Sequence, residues 1–80
     1  MPSDSPEKAP TEDEIVSIRE EAKALLGAEG LGRPDAAREA GISYATLSAF
    51  LNGTYLGRND RVALDVQRWM RSRRERNVAQ

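Results

Sequence analysis

Between residues 43 and 52 the chain carries hydrogen-bonding side chains at Ser43, Tyr44, Thr46, Ser48 and Asn52, interleaved with the small residues Ala45 and Ala49. Arginines flank this stretch at Arg33, Arg38, Arg58 and Arg61. Hydroxyl, carboxamide and guanidinium groups in that mixture bond phosphate oxygens and base edges. They do not make a reaction centre. The chain has no His and no Cys. That removes the commonest general base and metal ligand, any thiolate zinc site, and any Ser-His or Cys-His pair. There is no G-x-x-x-x-G-K-[ST] loop to cradle a nucleotide. The composition argues for a binding module, not an enzyme, and no cofactor or metal is expected.

Four helical segments are predicted to position these residues, and no strand. Thr11 opens a capping box with Glu14, and Glu12 and Asp13 sit in the first turn where the helix dipole favours negative charge. Ile15, Ile18, Ala22, Leu25 and Leu26 then recur at helical spacing, with Gly27 and Gly30 expected to end the helix. Pro34 suits the first turn of a short second helix that Gly41 stops. Ser43 is placed to cap a third helix over Tyr44–Asn52, closed by Asn52-Gly53. A loop from Gly53 to Arg58 leads to a last helix, capped by Asn59 or Asp60 and running to about Arg76. Its buried stripe is predicted as Val62, Val66, Trp69 and Met70, with Trp69 against the Leu47–Phe50 side and the first helix. Residues 1–10 hold three of the four prolines and read as a disordered leader. Residues 11–76 form the one domain, and 77–80 a disordered tail or the start of a linker.

The second and third helices satisfy the demands of a helix-turn-helix. Two helices crossing steeply over a tight turn need a small residue at the closest approach, and Ala37 fills that place. Gly41, four residues on, takes the left-handed turn position at no steric cost. Ile42 plugs the space under the turn, and Leu47 and Phe50 anchor the second helix. A small helical bundle with a glycine-terminated helix shares much of this pattern.

In such a motif the second helix enters the major groove with its N-terminal residues on base edges. The outward positions are Ser43, Tyr44, Ala45, Thr46, Ser48, Ala49 and Asn52. They include no Arg, Lys or Gln, so the helix lacks a bidentate partner for guanine, and Asn52 alone pairs with adenine. Tyr44 is equally suited to a partly buried core role. Weak sequence preference is expected. Affinity is expected from phosphate contacts by Arg58 and Arg61, with Arg33 and Arg38 as further candidates, and with steep salt dependence.

Charge supports this only when it is divided along the chain. The 80 residues sum to −1. Residues 1–30 carry three basic against eight acidic side chains, a net of −5. Residues 31–80 carry nine arginines against five acidic side chains, a net of +4. The average hides an acidic front and a basic back. No apolar run approaches the ~20 residues of a membrane span, and no signal peptide is visible.

From Ala36 to Arg71 the chain resembles the N-terminal domain of the phage Mu B transposition proteins, which are AAA+ ATPases. The likeness lies in A-x-x-A-G-I-S-x-x-T-L-S-A-F-L-N (Ala37 to Asn52), the Tyr55-containing loop, N-D-R-V (Asn59 to Val62) and Q-R-W (Gln67 to Trp69). The first part is generic for lambda-repressor-like domains, and the continuation is the specific part. The resemblance implies a lambda-repressor-like helix-turn-helix fold that binds double-stranded DNA with low sequence preference. It also implies a transposase and further copies of the parent as partners, and a cytoplasmic, bacterial or phage-encoded setting. The ATPase phosphate loop is missing from these 80 residues, so the chain reads as a domain of a larger ATPase or a free-standing relative. Two other readings stay open: a free-standing phage or plasmid regulator, and a protein-interaction module on the same fold.

Overall fold

The computed structural model describes residues 10–78. Among them the elements are α1 (Glu12–Glu29), α2 (Arg33–Ala40), α3 (Tyr44–Asn52) and α4 (Asn59–Val78), with no strand. The chain is all-α. Residues 1–9 of the expected leader and residues 79–80 of the expected tail lie outside the described residues.

Local chemistry sets the helix boundaries. Thr11 caps α1 through the reciprocal box: the Glu14 N–H donates to Thr11 Oγ1 at 3.3 Å, and the Thr11 N–H donates to Glu14 Oε1 at 2.8 Å. At its far end α1 runs through Gly27 and stops only at Gly30, which is left-handed at φ 61°. Gly27 was expected to share in ending the helix. One glycine in a helical backbone weakens a helix without breaking it. Helix α2 starts at Arg33, with Pro34 in its first turn, and ends on left-handed Gly41 at φ 78°. Ser43 caps α3 by accepting from the Thr46 N–H at 3.1 Å. Helix α4 begins at Asn59, one residue before an Asn59 cap allows, and continues to Val78. Asn59 instead donates from its carboxamide to the Tyr55 carbonyl at 3.0 Å, and Asp60 Oδ1 accepts the Arg61 N–H at 2.8 Å.

One hydrophobic cluster holds the four helices together. Ile18, Ala22 and Leu26 come from α1, Ala36 and Ala37 from α2, and Leu47, Phe50 and Leu51 from α3. Helix α4 contributes Val62, Ala63, Val66, Trp69 and Met70. Ile15 and Leu25, expected in the apolar face of α1, are only half-buried at its edge, as is Ile42 under the turn. Phe50 is wholly buried. Burying a side chain of its size stabilises the fold by about 1.5–3 kcal/mol relative to leaving it exposed. A second contact pins Phe50: the Arg19 Nε–H of α1 donates to its carbonyl at 2.8 Å, and the Arg19 guanidinium lies 5.1 Å from its ring centre.

Candidate nucleic-acid interface

Helices α2 and α3 are joined by a short turn that begins at left-handed Gly41. Ala37 is buried at the approach of the two helices. The Gly41 N–H bonds back to the Ala37 carbonyl at 2.9 Å, and the Ile42 N–H bonds to the same carbonyl at 3.0 Å. This closes α2 in a left-handed cap and turns the chain directly into α3. Leu47, Phe50 and Leu51 face inward, which leaves the opposite side of α3 to Ala45, Ser48, Ala49 and Asn52.

The sequence-predicted site residues fall into three groups. Ser43, Tyr44 and Ala45 are exposed at the start of α3, and Tyr44 at 53% exposure is a surface residue, not a core one. Thr46 is half-buried, and its hydroxyl accepts from Ser43 Oγ at 2.8 Å. Ser48, Ala49 and Asn52 continue along the helix, the first two half-buried and Asn52 exposed.

Arg33 joins that second stretch from another element. Its Nη1 donates to Ser48 Oγ at 3.0 Å and to Asn52 Oδ1 at 3.2 Å. One lone pair of Asn52 Oδ1 is therefore taken by Arg33, which fixes the direction of the carboxamide and leaves its second lone pair and its NH2 for other partners.

The remaining arginines differ in how freely they meet an anion. Arg58 grips the Asp60 carboxylate with two bonds of 3.2 Å, from Nε to Oδ1 and from Nη2 to Oδ2. Hydrogen bonding from Arg58 holds the Asp60 carboxyl below the usual carboxylate range, and Asp60 raises Arg58 in turn. An anion at Arg58 would have to compete with the Asp60 carboxylate. Arg38 pairs with Asp35 one turn earlier at 3.2 Å. Arg61 is exposed, and its guanidinium has no ion pair among the described residues.

A polar network joining α1, α2 and α4 was not visible in the sequence. The Glu39 carboxylate, at the end of α2, accepts from Trp69 Nε1 at 3.0 Å and from Arg73 Nη1 at 2.6 Å. Arg73 also binds Glu29 at the end of α1, through Nε at 2.9 Å and through Nη2. The Trp69 bond, and then the Arg73 bond, hold the Glu39 carboxyl below its ordinary value. These partners lie 30 to 44 residues apart, so no local spacing announces them.

Among the described residues no cluster of three His, Cys, Asp or Glu side chains could hold a metal ion. No helix among the described residues is long and apolar enough to cross a membrane. Comparison with known protein families, with characterised proteins and with solved structures finds no match.

Proposed function

We propose that the chain is a lambda-repressor-like helix-turn-helix module that binds double-stranded DNA with little sequence preference. The observation that carries this reading is the pairing of α2 and α3 across the left-handed Gly41 turn, with a small-residue, hydroxyl-bearing side of α3 left uncovered by the core. Ala45 and Ala49 allow close approach to a groove floor. Ser43 and Tyr44 supply hydrogen bonds to phosphate at the helix start. Arg61, without a carboxylate partner among the described residues, supplies a counter-charge, and Arg58 and Arg38 supply more where phosphate competes with Asp60 and Asp35. Such a module performs no catalysis of its own. The likeness of Ala36–Arg71 to Mu B proteins extends the proposal to a place within a transposition ATPase, with a transposase and further copies of the parent as partners.

The test is a titration of the protein with random-sequence duplexes and with candidate operator duplexes across a salt series. The expected result is nearly equal affinity for all of them, falling steeply as salt rises. A strong preference for one operator would favour a free-standing regulator. Absence of salt-sensitive binding to every duplex would favour a protein-interaction module, and chemical-shift mapping would then locate its face.

A further inference from the structure

We infer that Arg33, laid by α2 across the uncovered side of α3, is the base-reading residue that α3 itself lacks, and that its target is the major-groove edge of guanine. The inference rests on the DNA-binding reading above.

Three observations carry it. The first is position. Arg33 is bonded to Ser48 and Asn52, one turn apart on the same stripe of α3 as Ala45 and Ala49. Its guanidinium therefore lies against the side of α3 that the core leaves uncovered, along the second half of that helix.

The second is the atom inventory. An Arg head has five N–H bonds, two of them on Nη1. Ser48 Oγ and Asn52 Oδ1 take one each. The Nε/Nη2 edge is left whole, and no other hydrogen bond or ion pair engages it among the described residues. That edge is a fork of two parallel N–H bonds, the donor pair that matches guanine O6 and N7.

The third is charge. Arg38 and Arg58 are each held by a carboxylate. Arg33 is held by a hydroxyl and a carboxamide oxygen, both neutral. It is fixed in direction with its charge unspent, and it is half-buried, which limits the rotamers it loses on binding. Ser48 and Asn52 are then positioning residues. One guanine contact is compatible with little overall preference, because random DNA offers a guanine on one strand or the other every few base pairs.

The experiment uses the full chain and fluorescence anisotropy at one salt concentration. The probes are a duplex of A·T pairs only, the same duplex with a central G·C pair, and that duplex with 7-deazaguanine, which lacks the N7 acceptor. Binding is expected to be at least about fivefold tighter with guanine, the lower end for a bidentate pair, and to lose that gain with 7-deazaguanine. Arg33→Ala is expected to erase the guanine gain while still binding the A·T duplex, and Arg33→Lys to keep only part of it, since an ammonium reaches O6 and N7 without the rigid planar fork. Ser48→Ala with Asn52→Ala is expected to shrink the gain. The 7-deazaguanine comparison uses unaltered protein, so it stands even if a variant folds poorly.

Equal weakening on all three duplexes in Arg33→Ala, with Arg33→Lys restoring most of the affinity, would overturn the inference in favour of a phosphate contact. An unaltered protein that binds all three duplexes equally would overturn it while leaving the DNA-binding reading intact. Failure to bind any duplex would overturn both.

Discussion

At the scale of single residues, Trp69 joins the core to the polar network. Its ring is buried and its indole N–H ends on Glu39. A buried Trp needs a partner for that N–H, and Glu39 satisfies it at the surface end of the ring. Trp69→Ala is expected to cost about 3–5 kcal/mol, which for a domain of this size is much of its total stability. Urea unfolding followed by circular dichroism checks this, and an unchanged midpoint would show that the ring contributes nothing to packing. Trp69→Phe keeps most of the apolar volume and loses the hydrogen bond, so its cost is expected to be clearly smaller.

At the scale of elements, the turn between α2 and α3 and the body of α1 respond oppositely to the same change. Gly41 sits at φ 78°, where a side chain crowds its own backbone although nothing else lies within 4 Å. Gly41→Ala is expected to destabilise the fold by about 1–2 kcal/mol. Gly27 lies in the helical backbone of α1 with open space around it. Gly27→Ala is expected to stabilise by about 0.5–1 kcal/mol, because alanine loses less backbone entropy on entering a helix. Paired thermal melts check both signs at once.

These elements were the most legible part of the sequence. Caps, glycines and 3- and 4-residue apolar spacing are local rules, and the α3 limits Tyr44–Asn52 follow from them directly. What was not legible is where long polar side chains go after the helices dock. Arg33 was predicted to face phosphate, and the structure lays it on Ser48 and Asn52. Nothing in the residues around Arg33 distinguishes these outcomes, because its partners lie 15 and 19 residues away on another helix. The hold of Arg33 on Asn52 was hidden for the same reason. Tyr44 illustrates the converse: its type suits core or surface, and only the orientation of α3 decides.

At the scale of the whole molecule, Glu29, Glu39 and Arg73 tie the ends of α1 and α2 to the second half of α4. Glu39 titrates below its ordinary value of 4.5 in the folded chain. The folded state therefore releases this proton more readily than the unfolded state. The stabilisation is fully present above about 4.5 and is lost as pH falls through the lower folded value. Chemical denaturation between pH 6 and pH 3 should show stability falling more steeply in the unaltered protein than in Glu39→Gln. Asp60, held low by Arg58, contributes acid sensitivity in the same direction to both proteins and cancels in the comparison. Parallel curves would mean that the network carries no net coupling to folding.

The same clasp has a geometric consequence. Helix α4 is 20 residues long, about 30 Å, while its last residue in the core is Met70. Arg73 extends the grip one turn beyond the core, Arg74 and Arg76 add ion pairs to Glu21 at 3.9 Å and to Glu39 at 3.8 Å, and the helix runs on to Val78 as a stiff shaft. The heading of that shaft is set by α1 and α2, and so is the angle at which α3 is held. Anything attached to its end therefore inherits a defined azimuth relative to the uncovered side of α3. Each residue inserted after Arg76 would swing that attachment by roughly 100°, since a helix turns once per 3.6 residues. Four inserted residues would bring it nearly back into phase, displaced along the shaft by about 6 Å.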